Sequence, residues 1–174
     1  TNSRVVGKHA LHRRSKVSQA EEQMLELKDA EMVGPYHALA SFAEAAPDAI
    51  VPGFDLRLRR RIWIRKAAEG SEMISRTDRS RNRIGRVRWI DGSRKSGACW
   101  DAYESLAGQP LVSLMGRQQP WKSVRYWLLD LAQEFAAAEQ ANSLPETVAV
   151  DRISITADGR AKLLDFRAPG TDPD

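Results

Sequence analysis

Cysteine is almost absent from this chain: Cys99 is the only one among 174 residues. No internal disulfide can staple the fold, and the composition suits a reducing compartment. Long apolar runs are missing too. The most apolar helix-like stretch, Trp121 to Ala138, is broken by Lys122, Arg125, Asp130 and Glu134, whereas a bilayer span needs about 20 predominantly apolar residues. Histidine is scarce, and His9 and His12 stand three apart with no further ligand nearby, which leaves a metal site without a ligand set. Neither a Gly-x-Ser-x-Gly elbow nor a Cys–His arrangement is present, so the common hydrolase chemistries have no starting point.

What is present is an ordinary globular balance, 42% hydrophobic and 29% charged, long enough for one medium domain with a real core. The net charge of +4 hides an asymmetry. From Arg57 to Lys95 there are 14 Lys/Arg against 4 Asp/Glu, so the rest of the chain carries −6. Such a block can attract phosphate, nucleic acid or an anionic membrane surface, or it can be an Arg-rich face answered by acids elsewhere in the fold. The five tryptophans read as packing residues. No signal-peptide pattern opens the sequence. The first residue is Thr1, the last six are Pro169 to Asp174, and both ends are expected to be cuts through a longer protein.

Residues 1–16 are basic and lack apolar periodicity, as a linker does. Ser18-Gln19-Ala20-Glu21 has capping-box spacing, and Val17, Ala20, Met24 and Leu27 follow at helical spacing, reaching towards Glu31. Gly34-Pro35 punctuates the chain and is expected to end that helix. Strands are expected over Tyr36–Phe42, Ala49–Phe54, Arg61–Arg65, Gly85–Ile90 (closed by Asp91-Gly92) and Trp100–Leu106. Pro120 fits a first helical position. Val124, Trp127, Leu128, Leu131, Phe135 and Ala138 then mark a long amphipathic helix, stopped by Asn142, Ser143 and Pro145. Asp158-Gly159 between two alternating runs signals a hairpin. Several strands, one long helix and a hairpin give an α+β class.

The run from Ile153 through Asp158-Gly159 to Leu163-Leu164-Asp165-Phe166 resembles the strand pair leading into the Asp-Phe-Gly motif of protein kinases. Other parts follow in kinase order. Val33 to Tyr36 resembles the lead into the first strand, and Arg60 to Arg65 the Val-Ala-Ile-Lys strand. Asp101 to Leu111 resembles the hinge, and Trp121 to Gln140 the first long helix of the larger lobe. The implied fold is a kinase-like small-lobe antiparallel sheet plus that helix and hairpin, truncated beyond them. The implied division is a basic linker and helix over 1–33, an incomplete kinase-like domain over 34–170 and a tail over 171–174. Thr1 to Val6 also resembles the end of the bacterial RDD-family membrane domain. That likeness implies a membrane-tethered bacterial signalling protein, with this piece at the cytoplasmic face.

Phosphoryl transfer needs a phosphate cradle, a metal site and an oriented hydroxyl. Against the family's pattern, Leu39 to Val51 contains no glycine. The phosphate-anchoring lysine falls on Arg65, whose planar fork does not substitute for a compact ammonium. Neither Glu69 nor Glu72 is well placed as its glutamate partner. The general-base aspartate falls on Thr147, which accepts no proton at neutral pH; losing such a base costs about 10²–10⁴ in rate. Arg152 stands at the metal-binding asparagine, with Asp151 one residue away as a weak substitute. Asp165 and Phe166 are kept, but Arg167 replaces the glycine, so Asp165 is expected either to hold a metal or to be satisfied by Arg167, Arg152 or Arg65. If nucleotide binds, the resemblance places it on Val51, Arg65, Glu104 and Leu106.

The expectation is therefore a degenerate kinase-like domain, a pseudokinase, with no working catalytic residue and no cofactor, that regulates or scaffolds by binding a protein partner. Two alternatives stay open. One is a divergent Ser/Thr kinase that uses ATP and Mg²⁺ through Arg65, Asp151 and Asp165. The other is a binder of anionic lipid or nucleic acid through the Arg57–Lys95 block, with nucleic acid not favoured.

Overall fold

The computed structural model describes residues 30–74 and 83–171. The expected linker, the helix from Val17, the paired histidines and the RDD-like hexapeptide lie outside them, as do Arg76, Arg79 and Arg81 of the basic block and the last three residues.

Nine strands form two antiparallel sheets. The larger contains β1 (Met32–Val33), β2 (Tyr36–Ala38), β3 (Ile50–Asp55), β4 (Arg60–Lys66), β5 (Trp89–Lys95) and β6 (Ala98–Glu104), in the order β1-β2-β3-β4-β6-β5. The smaller contains β7 (Gly108–Pro110), β8 (Ile153–Thr156) and β9 (Ala161–Leu163), in that order. Between β7 and β8 the chain forms a four-residue helix α1 (Val112–Met115), the long helix α2 (Trp121–Gln140) and a 3₁₀ turn (Val150–Arg152).

Gly34-Pro35 does not end a helix; it is the two-residue turn of the β1–β2 hairpin, with Val33 opposite Tyr36. Gly34 has φ +60, and a Cβ there would collide with the Trp100 indole, so both backbone and packing demand glycine. The first strand stops at Ala38 rather than Phe42, because the chain turns away to bury Phe42. Asp91-Gly92 lies within β5 and does not close a strand; a bulge between Trp89 and Asp91 absorbs the irregularity. Pro120 is the N-cap of α2, one residue before the expected position. At the other end Asn142 takes φ 47 and Ser143 N–H reaches the Ala138 carbonyl at 2.8 Å, a Schellman stop. The Asp158-Gly159 turn joins β8 to β9 as the sequence indicated.

Three apolar clusters fill the interior. Ile62 and Ile64 of β4 pack with Val51, Tyr36, Phe42 and Trp100 on one face of the large sheet. Trp127 of α2 packs with Leu114, Ile153, Ile155 and Leu163 on the small sheet. The third, Val87, Tyr103, Leu164, Phe166 and Ala168, lies where the sheets meet. There Val87 N–H donates to the Leu163 carbonyl (3.0 Å) and Leu163 N–H to that of Gly85 (2.8 Å), so the segment before β5 ties the sheets together.

Candidate functional site

Side chains alternate across a strand, so Trp63 and Arg65 of β4 face away from Ile62 and Ile64 and look towards the junction of the two sheets. Phe166, just after β9, comes up to meet them. Its ring centroid lies 6.0 Å from Trp63, edge-on, and 4.8 Å from Tyr103. Ile50 and Leu106 pack against the same group. The junction is thus filled by three rings donated from β4, β6 and the segment after β9. Trp63 stands where the Val-Ala-Ile-Lys pattern has its small alanine, a difference in volume that the sequence already contained.

A cavity of about 390 Å³ adjoins these rings, lined among others by Arg65, Arg83, Arg86, Tyr103, Ser143 and Asp165. Its three arginines are each committed to a carboxylate. Arg65 donates to Asp48 from Nε (3.1 Å) and Nη2 (2.5 Å). Arg83 pairs with Glu134 at 3.0 Å and donates to Ser143 Oγ at 3.2 Å. Arg86 sits between Glu134 (3.5 Å) and Asp165, to which it donates from Nη2 in a very short contact. Burial holds the Glu134 carboxyl above its ordinary range although Arg83 and Arg86 oppose it. The Tyr103 hydroxyl is likewise pushed well up, first by burial and then by Asp101 and Asp165. It is a poor proton donor or acceptor at neutral pH.

The expected partners of Asp165 need correction. Its carboxylate goes to Arg86, which the sequence reading did not name. Arg152 contributes only an Nη1 hydrogen bond to the Asp165 backbone carbonyl (3.0 Å). Arg167 turns to Asp151 instead, at 3.2 Å, and so occupies the one acid that a slipped catalytic register could have used. Thr147 is exposed on the loop after α2. Of the residues expected to touch nucleotide, Arg65 and Leu106 do face the junction. Val51 does not: it pairs with Ile64 and is buried in the opposite cluster, while Ile50, one residue earlier, faces the junction. Glu104 is occupied by Lys162 Nζ (2.5 Å) and Arg88 N–H (3.0 Å).

The loop between β2 and β3 stands where a phosphate cradle would be. Its amides at Phe42 and Ala43 donate to the Glu31 carboxylate (2.7 and 3.2 Å), and Lys66 Nζ clamps its carbonyls at Ala43 and Ala45 (2.8 and 2.7 Å). An internal carboxylate has taken the donors that a phosphate would need. The groups that would meet ATP and Mg²⁺ in a kinase are therefore engaged within the chain. The cradle is capped, the anchoring cation is paired, the retained acid is neutralised and the centre holds aromatic rings. Among the described residues no group of three or more acids, histidines or cysteines could hold a metal.

Part of the basic block is paired in the same way, while Arg57, Arg59, Arg61, Arg88 and Lys95 are exposed. Besides Arg65, Arg83 and Arg86, Arg60 pairs with Asp55 (3.2 Å) and Arg94 with the buried Asp101 (2.8 Å). The missed signal is on α2. Asp130 and Glu134, which look like solvent positions in an apolar helix, are buried on its inner face. Asp130 receives Arg160 (2.5 Å) and the Ala161 N–H (3.0 Å). Their spacing of four, one helical turn, was the sign that both share a face.

No protein-family model matches the sequence, and no curated protein is similar to it. Among solved structures the chain is similar to PpkA-294 in its apo form, a bacterial Ser/Thr kinase, with TM-score 0.63 and 14% identity. The match covers 79% of this chain and 60% of that one, so the chain spans less than two thirds of the length of the structure it matches. At that identity the likeness is one of fold: the chain has a kinase-like fold, rich in antiparallel sheet and with few helices.

Proposed function

We propose that this chain is a catalytically silent, nucleotide-free kinase-like domain that regulates or scaffolds by binding a protein partner. In this reading residues 34–170 form a kinase-like domain of the pseudokinase kind. The observation that carries it is the occupied junction. Trp63, Tyr103 and Phe166 pack on one another beside the cavity that Arg65 and Asp165 line, the region where a kinase holds nucleotide and metal, and Arg86 neutralises the acid. A kinase-like domain whose charged cleft groups are committed to one another keeps its surface, and surface recognition is the work left to it. A tether at the cytoplasmic face of a membrane completes the reading and rests on the RDD-like hexapeptide. No described helix is itself long and apolar enough to cross a membrane.

The divergent-kinase alternative requires Asp165 to leave Arg86 and Asp151 to leave Arg167, with no proton acceptor at Thr147. Thermal unfolding with ATP, alone and with Mg²⁺, decides between them. A ligand at 100 times its Kd adds about 2.7 kcal/mol of stability. The expected result is an unchanged midpoint under both conditions. A rise that requires Mg²⁺ would overturn the proposal and make Asp165 a metal ligand.

A further inference from the structure

Helix α2 has two apolar faces. Its inner face, around Trp127 and Ala138, is buried on the small sheet. On the outer side Trp121 and Leu128 are 68% and 54% exposed, and they belong to an exposed row of Trp121, Arg125, Leu128, Ala132, Ala136 and Glu139. The steps along this row average about 3.6 residues, one turn each, so it runs straight along the helix. Neither Arg125 nor Glu139 forms an ion pair among the described residues; Arg125 only stacks on and bonds to the neighbouring Tyr126.

The row is complementary to itself when reversed. Two copies laid antiparallel about Ala132 bring Arg125 opposite Glu139 and Leu128 opposite Ala136, twice each, with Ala132 facing its own image. Positive meets negative, large meets small, and alanines at the centre let the axes approach to the short end of the 8–10 Å range for packed helices. A twofold axis requires this kind of self-complementarity. We infer that the outer face of α2 is a homodimer interface, in which a second copy covers the row from Arg125 to Glu139 through an antiparallel helix pair. The inference does not involve the filled junction and stands or falls apart from the nucleotide question.

The test is sedimentation velocity on the whole chain over a concentration series at low salt. The expected result is a reversible dimer. Arg125→Glu alone and Glu139→Arg alone each place like charges together and weaken it by about tenfold or more, while the double exchange restores it. Ala132→Lys sets two cations on the axis and abolishes the dimer. All three sites are exposed, and unchanged circular dichroism verifies that each variant folds. A monomer at every concentration would overturn the proposal and leave this face to some other partner. So would a dimer that Arg125→Glu and Ala132→Lys leave intact.

Discussion

On β4, Ile62 and Ile64 point one way and Trp63 and Arg65 the other, and the two faces are held by different forces. The outer face is aliphatic and aromatic at its centre: Val51, Phe42, Tyr36 and Trp100 close over the isoleucines, and its charges, Arg60 with Asp55 and Lys66 beside Phe42, stand at the ends of the strand. The inner face mixes rings with ions. Trp63 meets Phe166, while around them Arg65, Arg86 and Arg83 are matched to Asp48, Asp165 and Glu134. The outer face could belong to any sheet protein. The inner face is specific to this one, because each group there answers another from a distant part of the chain. The charged groups of that inner side contact one another.

The comparison breaks most severely at Arg86. Removing it with Arg86→Ala leaves buried Glu134 with one cation instead of two and frees Asp165. A loss of about 4 kcal/mol in urea unfolding is expected, in the range for breaking buried ion pairs. Ile64→Ala on the outer face should cost about 3 kcal/mol through cavity formation, and this loss should be indifferent to salt, whereas the loss at Arg86 should change with ionic strength. Equal salt responses would erase the distinction between the faces. Trp63→Ala should cost less, about 2 kcal/mol, because the ring is only half buried. It opens space beside Phe166 without releasing Asp165 from Arg86, so the variant should still show no ATP-dependent rise in midpoint.

The smallest effect is a pH dependence with two signs on one helix. The Arg160 hydrogen bond, with the Ala161 N–H, holds Asp130 below its ordinary 3.8. Its stabilisation is present above 3.8 and is lost as pH falls through the lowered value. Glu134 is raised above 4.5 by burial, so its contribution is present below 4.5 and is lost as pH rises through the raised value. Midpoints measured between pH 3 and 7 should lose the acid-side fall in Asp130→Asn and the rise-with-acidity component in Glu134→Gln. If both variants flatten the same limb, the two acids do not differ as described.

Much of this was legible in the residues. The terminal hairpin followed from Asp158-Gly159 between alternating runs, the long helix from its apolar spacing, and β4 from its β-branched and aromatic centre. The glycine-free loop and Thr147 were equally plain. Arg86 was not. It lies 79 residues from Asp165, within a basic stretch where no local pattern marks one arginine as different from its neighbours. The burial of Asp130 and Glu134 was not legible because charge within an apolar helix is ordinarily solvated, and only the arrival of Arg160, Arg83 and Arg86 makes it tolerable. Val51 was displaced from the cleft by one residue, since a strand's register decides which face each side chain takes and a one-residue slip exchanges them.

By itself the sequence determined which elements form, because hairpin, strand and helix signals act over a few residues through backbone preference and apolar period. It also determined which residues stand at the positions that resemble a kinase's, since a side chain that is not encoded cannot be supplied by folding. Only the tertiary structure decided what became of the groups that remain. Whether Asp165 faces a metal or a guanidinium, and whether Trp63 lines a cleft or fills it, depends on pairings between residues far apart in the chain, and these exist only once the two sheets have met.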